Sequence, residues 1–284
     1  MQLTSRSLML AAFLSLTVCS TQAQDTKSKR DPKVQAVIDQ SLAAYKGLNA
    51  LHLKVSVKAT GSMDMFTGAP DSVEIKYQKP NKLHILSAIR GQGDTLNRRE
   101  IVTDGVSVWT WNSGGNTYSK LKAPAAIKGI STLSDDLPEY DMLFKEKDPF
   151  ADIPGAANAL TLAPSAKIGD VDVDVLAATI TEAGVPFTLN VKIMIGQKDH
   201  LIHSMQFDGS GKDPAGKDTK FDLKMNYDVV NTNPTFTPAD FTFTPPPGAK
   251  LAATAPTAPV ADTPKTDTPK QKTATPAQKP KKKP

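Results

Sequence analysis

Cysteine is almost missing from this sequence: Cys19 is the only one among 284 residues. It falls in a leader-like stretch, and once that stretch is cleaved the mature chain has no disulfide, no thiol nucleophile and no cysteine metal site. A domain of about two hundred residues buries enough apolar surface to be stable without such staples. Aromatic residues are few, at 6%, and histidines number four. Catalytic signatures are missing too: there is no Gly-x-Ser-x-Gly elbow, no His-Glu-x-x-His pair and no phosphate-cradling glycine loop. His52 and His84 fall opposite an apolar alternation and read as exposed strand residues. His200 and His203 flank Leu201-Ile202, and no metal-binding partners for them stand out. Asp170, Asp172 and Asp174 alternate with valines, but they share one face of a strand and lack the glycine and terminal glutamate of a calcium loop. The expectation is a non-enzymatic protein with no metal and no cofactor.

The ends differ from the middle. Arg6, the apolar run Leu8 to Val18 and the Thr21-Gln22-Ala23 site form a secretory signal over residues 1–23, and the apolar run is too short to span a bilayer. The rival reading is a lipoprotein signal, Leu16-Thr17-Val18-Cys19, that lipidates Cys19; Val18 stands where a small residue is wanted. From Leu251 to Pro284 the chain is built of Ala, Pro, Thr and Lys, with seven lysines and two aspartates, and ends in Lys281-Lys282-Lys283 before Pro284. Such a composition cannot repay the ordering of a backbone, so a disordered tail is expected over 251–284. The first reading of the tail is a solvated spacer, the second attraction to an anionic envelope surface. The tail and Arg6 account for the net charge of +5, which leaves residues 24–250 nearly neutral and excludes a nucleic-acid surface there.

Within 24–250 the hydrophobic period identifies the elements. Asp31, Pro32 and the helical spacing of Val34, Val37, Ile38, Leu42 and Tyr45 predict one amphipathic helix. From Leu51 the period becomes two: Leu51, Leu53, Val55 and Val57 alternate with His52, Lys54, Ser56 and Lys58. Strands follow at Ser72 to Gln78, Lys82 to Ile89, Glu100 to Thr103, Val106 to Trp111 and Thr117 to Leu121, with Asp104-Gly105 as a two-residue hairpin turn. Between Ala123 and Ala163 the alternation is lost, and Leu137, Tyr140, Leu143 and Phe144 fit a short helix. Strands resume at Asp170 to Ile180, Phe187 to Ile195, Leu201 to Phe207 and Lys220 to Val229. One sheet with an inserted helical cover is the economical arrangement.

Lys79-Pro80-Asn81-Lys82-Leu83 and Val102-Thr103-Asp104-Gly105-Val106-Ser107-Val108-Trp109-Thr110-Trp111 resemble the sheet of the LolA/LolB-like periplasmic lipoprotein-carrier superfamily. The closing segment, Phe236-Thr237-Pro238-Ala239-Asp240-Phe241-Thr242-Phe243-Thr244-Pro245-Pro246-Pro247-Gly248-Ala249, is similar to the end of DUF2092, a family of predicted periplasmic proteins. The resemblance implies an α+β, mainly β fold: a half-open antiparallel β-barrel whose concave face is covered by helices. It also implies a periplasmic location and a cavity that shields acyl chains from water. Where the carriers have an arginine before Pro-Asn that holds the lid, this chain has Lys79, a latch candidate without the planar fork of donors.

The expected function is binding or carriage of an apolar ligand, a lipid, acyl chain or lipidated peptide, between sheet and helices. Its alternative is a structural or interaction module of the envelope with a filled core and a basic docking tail. The expected lining is Val55, Val57, Ile75, Tyr77, Ile85, Trp109, Trp111, Leu143 and Phe144, with Met63, Met65 and Phe66 at the mouth. Trp109 and Trp111 lie on the same side of one strand, whose other side is also apolar, so that strand is either core or cavity wall.

Overall fold

The computed structural model describes residues 30–61, 70–90, 95–127, 142–143, 148, 159–181, 187–212 and 216–252. The leader with Cys19, the Met63, Met65 and Phe66 cluster, Phe144, most of the Leu137 to Phe150 cover and the tail beyond residue 252 lie outside them.

Helix α1 runs Pro32–Gly47. Asp31 caps it by accepting from Lys33 N at 2.8 Å, and Pro32 occupies the first turn, where a missing N–H costs nothing. Val34, Val37, Ile38, Ser41 and Tyr45 recur on one face, and all are buried.

Twelve strands follow: β1 (Ala50–Gly61), β2 (Pro70–Gln78), β3 (Lys82–Arg90), β4 (Leu96–Thr103), β5 (Ser107–Asn112), β6 (Thr117–Lys122), β7 (Thr161–Ile168), β8 (Val171–Thr181), β9 (Phe187–Gly196), β10 (Ile202–Lys212), β11 (Asp218–Asn231) and β12 (Lys250–Leu251). They form one sheet in the order β12-β6-β5-β4-β3-β2-β1-β11-β10-β9-β8-β7. Two antiparallel meanders are joined where β1 pairs with β11, and only β12, lying parallel to β6, departs from the antiparallel pattern. The sheet is open, with β12 and β7 at its edges. Among the described residues, one α-helix and an open sheet bear out a mainly β fold.

Two details differ from the sequence reading. Thr103 stands opposite Val108, so the β4–β5 connection is longer than the two-residue hairpin expected from Asp104-Gly105. Asp104 Oδ1 accepts from both Val106 N (2.7 Å) and Ser107 N (2.8 Å), which lets one carboxylate close the wider turn, and Gly105 supplies a φ of 96°. Strand β7 was not expected at all. It is an edge strand, exposed along most of its length, with Pro164 inside a register shift between Ala163 and Ala166. An edge has little to bury and therefore shows no alternation.

The register sorts side chains into two faces. Leu51, Tyr77 and Leu83 stand side by side across β1 to β3, as do Leu53, Ile75, Ile85 and Ile101 across β1 to β4. This core face continues through Val191, Ile193, Met205, Leu223 and Met225 and merges with the buried face of α1 in one cluster. Ile127, Met142 and Leu160 join it from the connection between β6 and β7.

Candidate functional site

The core face gathers most of the predicted lining. Val55 (2% exposed), Val57 (9%), Ile75 (0%), Tyr77 (5%) and Ile85 (2%) belong to one cluster, and Leu143 packs partly buried against it. These side chains meet protein on all sides: α1 contributes Val34, Ile38 and Tyr45, and Met142 is wholly buried among them. Burial pushes the Tyr77 phenol above its ordinary range. Three hydrogen bonds fix the polar atoms in this greasy layer: Ile202 N donates to Tyr45 Oη at 3.1 Å, Ser41 Oγ to Met142 Sδ at 3.8 Å and Tyr227 Oη to Met205 Sδ at 3.6 Å. Lys79 donates from its amine to the Lys46 carbonyl at 3.0 Å, tying the β2–β3 turn to the last turn of α1.

Trp109 and Trp111 do not join this group. Val108 faces the core, and the period of two sends both tryptophans to the opposite, outer face, where Val102, Tyr118, Phe243 and Ala249 form a separate cluster with them. That outer face is apolar for a reason absent from the strand itself. After β11 the chain turns back and crosses β1 to β6 as a strap, residues 234–251. Phe236 meets His52 on β1 at 6.4 Å, Phe241 lies under Lys82 on β3, Phe243 stacks on Trp109 of β5, and β12 pairs with β6.

Asp240 is the buckle of the strap. Lys76 Nζ donates to it at 2.7 Å, and His84 Nδ1 donates to its carbonyl at 3.0 Å. It also closes the short 3-10 helix Pro238–Phe241 by accepting from Thr237 N at 2.8 Å. The Lys76 hydrogen bond, helped by the Thr237 N–H, holds its carboxyl down at about 2. A depressed carboxyl contributes stability that is present above the ordinary aspartate value and is lost as pH falls through about 2. Asp240→Asn is therefore expected to unfold more readily than the wild type at pH 5 to 8, with the gap closing between pH 4 and 2; urea melts at each pH check it.

His52 and His84 are less exposed than their strand positions suggest, because the strap lies over them. His52 Nε2 is 2.8 Å from Glu74 Oε1. Burial works against the Glu74 charge, but the His52 hydrogen bond together with Lys54 and Lys76 outweighs it, and its carboxyl is lowered. His84 Nε2 lies 2.9 Å from Glu100 Oε1 without a hydrogen bond between them. His203 pairs with Asp199 at 2.9 Å. Burial again works against the Asp199 charge, and the bonds from His203 and Leu201 N prevail to lower it. Among the described residues no group of three or more His, Cys, Asp or Glu side chains is set to hold a metal.

Two solvent-open grooves lie away from the predicted lining residues. One, of about 500 Å³, is at the β10–β11 hairpin beside Lys212 and Asp218. The other, of about 450 Å³, runs past Thr179, Asn190, Lys192 and Asp208. Both are too open to solvent to shelter a hydrocarbon.

The model of a family described as predicted periplasmic protein, DUF2092, matches residues 34–253. No curated protein matches the chain. Among solved structures, a domain described as an outer membrane lipoprotein-sorting protein, from Vibrio parahaemolyticus, is similar at 9% identity and a TM-score of 0.27, covering 72% of this chain and 94% of that one. A DUF1329 family protein from Desulfovibrio piger is similar at 10% identity and a TM-score of 0.26, covering 74% of this chain and 97% of that one.

Proposed function

The chain belongs to the DUF2092 family of predicted periplasmic proteins, and from that premise we propose that it is a non-enzymatic periplasmic carrier that shelters an acyl chain, lipid or lipidated peptide against the core face of its sheet. The observation that supports this reading is how that face is closed. Nine strands contribute to the cluster, while α1, the one α-helix among the described elements, has 16 residues. A helix about 10–12 Å across covers roughly two strands spaced about 4.8 Å apart. Beyond α1, short helical turns in the connection between β6 and β7 complete the layer, with Ile127 in a 3-10 turn and Met142 and Leu143 in a π-helical one. A hydrocarbon chain can take their place, since each CH₂ hidden from water gains about 0.8 kcal/mol. Lys79, through its bond to the end of α1, is the residue that would tie helix and sheet together around the ligand.

The second reading, an envelope module with a permanently filled core, draws on the near-complete burial of Val55, Ile75 and Ile85. Native mass spectrometry of the protein purified from an envelope fraction separates the two. The carrier reading expects a co-purifying amphiphile that a fluorescent fatty acid displaces. Repeated preparations with no adduct and no fatty-acid binding leave only the filled module.

A further inference from the structure

The turns of the two motifs that carry the family resemblance meet at one end of the sheet, beyond the core-face residues Leu83 and Val108. Asn81 is the hub. Its Nδ2 donates to Gly105 O at 3.1 Å and to Pro124 O at 3.2 Å, which stitches together the β2–β3 turn, the β4–β5 turn and the exit from β6. Gly105 is required here: its φ is 96°, and a Cβ at that position would stand 2.8 Å from Asn81 Oδ1. Ala123 N donates to Val106 O at 2.9 Å and fixes the tip of the turn against the third segment. The result is a rigid platform, and Val106 projects from it with 73% of its surface exposed, the highest value among the exposed large hydrophobics. Leu121, at 47%, is next to it, two residues from Ala123.

Charge surrounds this apolar tip. Lys46, Lys79 and Lys122 are all exposed, and the acidic side chain in these turns is Asp104, whose carboxylate is engaged by two backbone N–H groups. At the same end of the other meander the turns carry Asp170, Asp172 and Asp199 against Lys167 and Lys198, so the positive field is confined to the platform. Exposed aliphatic tips ringed by lysines suit a bilayer interface: the apolar group enters the headgroup layer, and long lysine stems bring their amines to lipid phosphates. A periplasmic protein works between two such surfaces.

We propose that this end of the sheet docks on an anionic phospholipid bilayer, with Val106 inserted and Lys46, Lys79 and Lys122 facing the phosphates. Vesicle binding is read without any apolar ligand, so this docking stands or falls separately from the carrier reading. Co-sedimentation of the full chain with phosphatidylcholine vesicles, with and without phosphatidylglycerol, tests it. The full chain is expected to bind only the anionic vesicles. Val106→Asp should weaken that binding about tenfold. Lys122→Gln should weaken it about fivefold, with the melting temperatures of both variants unchanged because Val106 and Lys122 are exposed. Equal binding by the wild type and these variants would assign the affinity to another part of the chain, the basic C-terminal segment first, and would overturn the proposal. So would the absence of binding to anionic vesicles.

Discussion

Phe241→Ala is expected to lower the unfolding free energy by about 3–5 kcal/mol, the range for truncating a buried phenylalanine. Phe241 keeps 2% of its surface and closes the 3-10 helix Pro238–Phe241. Its ring stands edge-on to Phe236 at 5.1 Å and 76°, a geometry that adds about 0.5–1.5 kcal/mol beyond area burial. Lys82 Nζ lies 5.8 Å from the same ring. Removing the ring loosens both neighbours and leaves the middle of the strap held by the bonds of Asp240 to Lys76 and His84. In a domain of this size the melting temperature should fall by roughly 6–20 °C. Thermal and urea denaturation followed by far-UV circular dichroism measure it. A loss under about 1 kcal/mol would mean that the strap contributes little to holding β1 to β6, contrary to the packing of Phe236, Phe241 and Phe243. The strap supports the sheet from behind, across the face opposite the core.

Sequence reasoning read the first three strands well because each has one buried and one wet face, and Leu51, Leu53, Val55 and Val57 report that directly. It also placed the face of α1, since helical spacing and the Asp31 cap are local signals. Trp109 and Trp111 were ambiguous for a physical reason. A strand covered on both faces gives no alternation, and the cover on one of them comes from Phe243, more than a hundred residues away. The strap itself was legible as a motif but not as a contact: Asp240 and Lys76 are separated by 164 positions, and nothing within either segment names the other. Asn81 was likewise visible only as part of a turn, while its partners at Gly105 and Pro124 come from two other connections. What the period of two cannot give is what covers each face, because the cover comes from segments distant in sequence.

Met142→Ala addresses that exchange. Met142 is fully buried among core-face residues and accepts from Ser41 Oγ, so its truncation should cost about 2–5 kcal/mol in urea melts without ligand. A permanently filled core and a carrier agree to that point and then diverge. In a carrier, an incoming acyl chain must first expel the Met142 side chain, giving up about 1.5–3 kcal/mol of its burial. The alanine variant has already made that space. It should therefore bind a fluorescent fatty acid about ten to a hundred times more tightly than the wild type and recover part of its lost stability when the fatty acid is added. A filled core predicts the same loss with no gain in affinity and no recovery, because a cavity opened in a layer with no route from outside offers a long chain no way in. Paired urea melts and probe titrations on wild type and variant decide which behaviour the core face has.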